Sequence, residues 1–391
     1  MQSTLPNASA PKARRRSGPA ARVRQVVLGL VLIGALFGYF VWHMINTPRA
    51  VKLVAGQWVE DTGAYAGVAA CRECHREIVE KQQASSHANT LRALKDGGPR
   101  APFDSTEVID PLTGARYRMD AQPEPSIAMT LGGQGAKLPV EFEFGSGKIA
   151  RGYLSRLDDF RWLDGRLNHY AGTNQWDFTS GQEKPNKFLE TSPLGRTHEG
   201  AGAVRCFACH TTVLKVNGLG DGPSNGAKLK VRPDKSVLGI HCESCHGPQL
   251  DHVKERRAVK PVKPRVRLTA DEMNAVCGRC HGLTNVSPEH PVISRFQPWG
   301  LSVSRCYNAS EGKLSCATCH DPHEDAKSDI THYNLKCISC HSGKPESIGK
   351  TICRVNRTSG CVGCHMANDS TSMLHTTLTD HRIRIPGKEA R

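Results

Sequence analysis

Seven repeats of one short pattern constrain this 391-residue chain more than anything else in it. Fourteen of its sixteen cysteines form Cys-x-x-Cys pairs, and every pair is followed at once by histidine. They are Cys71-Arg-Glu-Cys74-His75, Cys206-Phe-Ala-Cys209-His210, Cys242-Glu-Ser-Cys245-His246, Cys277-Gly-Arg-Cys280-His281, Cys316-Ala-Thr-Cys319-His320, Cys337-Ile-Ser-Cys340-His341 and Cys361-Val-Gly-Cys364-His365. Zinc knuckles use paired cysteines, but tetrahedral zinc gives no reason for a histidine directly after each pair. Disulfides require neither the spacing nor the histidine. Histidine makes up only 18 of 391 residues, so the sevenfold adjacency is not a chance event. The pattern is the attachment signal for c-type haem, in which two thiols form thioethers to one porphyrin edge and the histidine binds iron. Seven covalent haems c are therefore expected, with His75, His210, His246, His281, His320, His341 and His365 as proximal ligands.

The two cysteines left over, Cys306 and Cys353, form a candidate disulfide for an oxidising compartment; free buried thiols are the alternative.

Composition agrees with an interior supplied by cofactors, since only 6% of residues are aromatic and 38% are hydrophobic. The formal net charge of +15 would suit nucleic acid, but its distribution speaks otherwise. Residues 1–50 hold seven Lys and Arg and no Asp or Glu, and an apolar run fills Val26 to Ile45. Twenty residues at a helical rise of about 1.5 Å span roughly 30 Å. The expectation is a basic cytoplasmic flank over 1–25, a transmembrane signal-anchor over 26–45 and a linker over 46–65. The haem domain would then lie in the periplasm of a bacterial inner membrane. A cleaved signal peptide is the alternative, although the run exceeds the usual 7–15 residues.

The motifs begin at 71, 206, 242, 277, 316, 337 and 361. One boundary follows: residues 66–205 carry the first haem and a long insertion, and 206–385 carry six haems. Arg76 to Lys95 reads as helix, with Ile78, Val79, Leu91 and Leu94 at helical spacing. Arg116–Met119, Ser126–Leu131 and Val140–Phe144 read as short strands between Gly, Pro and Asp breaks. Thr269-Ala-Asp-Glu272 reads as a capping box opening a helix that ends at the fourth motif. Pro261 and Pro264 make the basic stretch Lys254 to Arg267 an extended loop. The expected fold is a multihaem cytochrome c fold, mainly helical and irregular around its haems, with a small antiparallel β insertion.

Ten further histidines, besides His43, could serve as sixth ligands or as partners of haem propionates. Four stretches bear on the choice: Ser86-His87-Ala88, the Gly-Pro-Gln-Leu-Asp-His252 that follows Cys245-His246, Asp321-Pro-His323, and Thr379-Asp-His381-Arg-Ile383. With Phe144-Gly-Ser-Gly147, Trp176-Asp-Phe-Thr179 and His365-Met366, they resemble multihaem cytochromes c of the cytochrome c-552/4 type. The resemblance implies His87, His252 and His323 as distal ligands first, and His198, His375 and His381 next. His241, His290 and His332 lie in no recognised motif, and His169 in a strand-like stretch reads as structural. Six candidates for seven haems leave one haem without an assigned sixth ligand.

Two functions stay open on these grounds. One is electron transfer through largely bis-histidine haems between redox partner proteins. The other is an oxidoreductase acting on a small nitrogen or sulfur compound at one five-coordinate haem. Nucleic acid is not an expected partner, because fourteen haem propionates would offset the basic excess.

Overall fold

Between residues 104 and 178 side chains alternate between interior and solvent, and that alternation builds sheets. In β3 (Arg116–Asp120) Tyr117 and Met119 point inward while Arg116 and Arg118 stay exposed. β2 (Asp104–Ile109), β3, β4 (Ser126–Leu131) and β5 (Gln134–Pro139) follow one another as a four-stranded antiparallel meander. Gly132 and Gly133, both at positive φ, close the two-residue turn between β4 and β5.

The larger sheet has eight strands, running β1 (Leu91–Ala93), β6 (Phe142–Phe144), β7 (Ala150–Arg156), β8 (Arg161–Gly165), β12 (Gly195–Glu199) and β11 (Thr191–Ser192). β9 (Leu167–Tyr170) joins it on β7, and β10 (Gln175–Phe178) pairs with β9. Three two-stranded pairs complete the β structure: β13 (Thr211–Val213) with β16 (Val237–Leu238), β14 (Val216–Asn217) with β15 (Lys230–Val231), and β17 (Asn368–Asp369) with β18 (Leu378–Thr379). This computed structural model describes residues 64–184, 191–217, 229–255, 268–282, 295–341, 353, 355–356, 358–370 and 373–386.

The described residues thus form eighteen strands in five sheets, and the mainly helical body expected from the sequence is not what the chain builds. Helices are present but mostly short: α1 (Val68–Ala84), α2 (Gly200–Ala208), α3 (Cys242–His246), α4 (Leu250–Lys254), α5 (Ala270–His281), α6 (Gln297–Ser302), α7 (Arg305–Ala309), α8 (Cys316–Cys319), α9 (Ile330–His341) and α10 (Cys361–His365). A haem-attachment motif demands only about one helical turn, so seven motifs do not make a helical protein. The strands reach well beyond the small insertion expected, continuing into β13–β16 among the haem motifs. The expected helix over Arg76–Lys95 also divides. α1 ends before Ser85, Leu91 enters β1, and Leu94 lies beyond it. The capping box at Thr269 forms as read, with Glu272 returning to the Thr269 amide at the start of α5.

The inner-membrane location is corrected too. No helix among the described residues is long and apolar enough to cross a membrane. Residues 26–45, Pro261, Pro264 and His290 lie outside the described residues.

Two apolar cores sit on either side of the large sheet's strands. Phe142, Leu154, Trp162, Ala203, Val204 and Phe207 bring α2 onto one face. Phe103, Tyr117, Met119, Tyr153, Leu167 and Trp176 join the meander to β7 and β9. The scarce aromatic residues are concentrated there, in edge-to-face contacts such as Trp162 with Phe207 at 5.1 Å and Phe103 with Trp176 at 5.4 Å. A buried ion pair between Arg166 and Asp110 (2.9 Å, side chains 2% and 0% exposed) pins the β2–β3 turn to the large sheet.

Candidate functional site

Each Cys-x-x-Cys-His run sits on or at the end of a helical turn. Cysteines three apart on a helix share one face, so both thiols of a pair point the same way and the histidine follows directly behind. The turns are α1, the end of α2, α3, the end of α5, α8, the end of α9 and α10.

The motifs meet in pairs through their first cysteines. The Cys71 thiol is hydrogen-bonded with that of Cys242, Cys277 with Cys316, and Cys337 with Cys361. Buried side chains reinforce each pairing from one motif to the amide at the start of the other. Glu243 accepts from the amides of Ala66 (2.8 Å) and Gly67 (2.9 Å) at the start of α1. Asn274, three residues before Cys277, accepts from the Cys316 amide at 2.9 Å. Asn334, three residues before Cys337, accepts from the Val362 amide at 3.1 Å. These residues were missed in the sequence, although the repeated Asn-x-x-Cys-x-x-Cys-His of the fourth and sixth motifs was a usable signal. Motif two joins motif four through Cys209 and Cys280.

Three histidine pairs stand at a separation with chemical meaning. Ring centroids of His87 and His281 are 6.0 Å apart, those of His246 and His323 6.2 Å, and those of His320 and His381 6.2 Å. A metal–imidazole bond of about 2.0 Å with a centroid about 1.1 Å behind its nitrogen puts two rings sharing one metal about 6.2 Å apart. The planes differ, crossing at 80° in the first pair, 15° in the second and 32° in the third.

Hydrogen bonds at the ring nitrogens sort the histidines further. His381 donates from Nδ1 to the Thr379 carbonyl (2.8 Å), His365 to the Arg384 carbonyl (2.6 Å), and His323 to the Asp321 carboxylate (2.9 Å). Nδ1 of His210 lies 2.7 Å from the Thr90 hydroxyl. Such bonds fix the tautomer that directs Nε2 at a metal. Burial pushes His210 and His281 down to about 4, and lowers His87 and His381 as well, so these rings are neutral, which is the ligating form.

Other candidates are engaged differently. His375 gives Nε2 to Asp177 at 2.6 Å and packs on Tyr170, and His241 meets the Leu238 carbonyl through Nε2 at 3.0 Å. His198 is raised to about 9 by its hydrogen bond to Asp164 and then by Cys206, which keeps it protonated at neutral pH. His252 lies half-buried on α4. His169 is buried against Trp176. Cys306 and Cys353 are not joined to each other in the structure. Cys306 is instead half-buried near the Cys319 and Cys340 thiols, while Cys353 is exposed.

The donor set fits haem c. Paired thiols on one face, a following imidazole and, at three motifs, a second imidazole about 6 Å away meet its demands, and a cleft of about 310 Å³ opens between His320, Cys319, Lys327 and Lys336. The chain is a multihaem c-type cytochrome. The family described as cytochrome c554 and c-prime matches residues 166–247, which span the second and third motifs. Multiheme cytochrome MtrA of Shewanella baltica (strain OS185) is 25% identical over 225 residues, covering 56% of this chain. The chain spans 59% of that relative's length. A solved structure, outer cell wall cytochrome OcwA, superposes over 82% of this chain and 60% of its own, with a TM-score of 0.35 and 18% identity.

Proposed function

We propose that the chain holds seven covalent haems c, three of them with identified histidine pairs, and transfers electrons along them between redox partner proteins. The observation that carries this reading is the set of imidazole pairs at 6.0–6.2 Å. By it, His87 completes the fourth haem site with His281, His323 the third with His246, and His381 the fifth with His320. A histidine sixth ligand suits a low-potential electron carrier. Bound haem supplies one-electron exchange at iron, and the protein's part is to set spacing, ligation and surroundings.

The motif contacts support an order. Sites one and three adjoin, as do four and five, and six and seven. Site two abuts four, Arg279 of site four reaches the Ser244 carbonyl of site three, and Cys319 lies near Cys340 of site six. The run Cys-His320-Asp-Pro-His323 ties site five to site three within one short turn. Sites three to five are then a junction, with one, two and seven at its ends.

Haem quantitation with coulometric titration tests the reading. Seven haems and seven one-electron equivalents per chain are expected; fewer of either would contradict it.

A further inference from the structure

We propose that Asp325 is a positioning residue that fixes the distal imidazoles of two haem sites at once, the third and the fourth. The inference rests on His323 and His87 serving as distal ligands, as proposed above. Asp325 lies two residues after His323, at the end of the turn that begins with Asp321. Its Oδ1 accepts the amide of Ser86 at 2.7 Å, from a residue 239 positions away. Its Oδ2 pairs with Lys148 of the β6–β7 loop, and the carboxylate is three-quarters buried. Ser86 directly precedes His87, and its hydroxyl accepts from Ser146 of the same loop at 3.0 Å. One carboxylate therefore touches the His87 segment, the His323 segment and the loop that backs them.

The physical consequence is coupling. His87 and His323 are short of the fixed geometry that their haems require unless their backbones are held, because each sits on a turn outside regular structure. A shared buried acceptor removes the independent movement of the two turns and presents both rings in register. Losing it frees an amide and an ammonium group together, and both rings lose the same support.

The test uses the full haem-loaded protein in four variants, Asp325→Ala, Asp325→Asn, His87→Ala and His323→Ala, by ferric EPR and potentiometric titration. Each histidine variant converts one low-spin haem to high spin and thereby identifies its signal. In Asp325→Ala those same two signals shift, and the one-electron equilibrium constants of both change at least threefold, about 28 mV at 59 mV per decade. Asp325→Asn keeps an acceptor for Ser86 and gives a smaller change in the same two, which guards against a folding defect in the alanine variant. Movement of neither signal, of one alone, or of all the haems together would overturn the proposal. If either histidine variant leaves every haem low-spin, the ligand assignment has failed, and the proposal falls with it.

Discussion

At the scale of single residues, an iron-ready histidine differs from an ordinary one by which nitrogen is already taken. His381, His365 and His323 spend Nδ1 on an acceptor, whereas His375 and His241 spend Nε2. Asp321 is the charged acceptor among the three Nδ1 bonds. With His323 as the proposed ligand, its bond would add electron density to the imidazole and favour ferric iron at the third site. Asp321→Asn is therefore expected to raise that haem's midpoint by about 59 mV, a tenfold change in a one-electron equilibrium, with the others unmoved in a spectroelectrochemical titration. The seven expected proximal histidines stand out in the sequence, because each lies beside its own cysteines. The distal ones were legible only as candidates. His87 meets His281 across 194 residues, and nothing local to either announces the other. His198 and His375 stood with His381 among the second-ranked candidates, yet a neighbouring Asp164 or Asp177 brought in by the sheets claims each ring.

Elements show where patterning is reliable and where it misleads. The strands around Arg116–Met119 and Ser126–Leu131 and the capped start of α5 were readable, since alternation and capping are local signals. The balance of helix and sheet was not. β8, β9 and β12 were read only as part of a long insertion, and their pairing depends on partners such as Trp162 opposite His198. The buried Asp110–Arg166 pair is the fastener of that insertion. Asp110→Ala leaves the guanidinium unpaired beneath the sheet and also frees the Leu112 amide. A loss of about 3–5 kcal/mol is expected in denaturant unfolding of the β region. The C-terminal hairpin behaves differently with acid. Burial works to raise the Asp380 carboxyl, but hydrogen bonds from Arg382, with Arg384 adding its charge, hold it below the usual value. A depressed folded value stabilises above the unfolded carboxylate range and loses that contribution as pH falls through the folded one. Hydrogen exchange over β17–β18 should therefore stay slow at neutral pH and quicken below about pH 4. Unchanged protection down to pH 2 would remove Asp380 from that role.

The whole molecule is organised by contacts between motifs rather than by their order in the chain. Three pairs, one with three, four with five and six with seven, each use a buried Glu or Asn to catch the amide that opens the partner helix. The sequence showed the crowding of six motifs in its second half, but motif three's neighbour lies 171 residues earlier. Charge follows the same logic. The +8 left outside the first fifty residues is close to what seven haems with fourteen propionates would offset, counting one positive charge per ferric core.

The most direct test of the account is low-temperature EPR of the oxidised protein, with haem quantitation, on the wild type and on His381→Ala. Seven haems in both proteins are expected, with one additional high-spin haem in the variant, from the site held by His320. Full haem content with every haem still low-spin in His381→Ala would contradict the imidazole pairing on which the account stands.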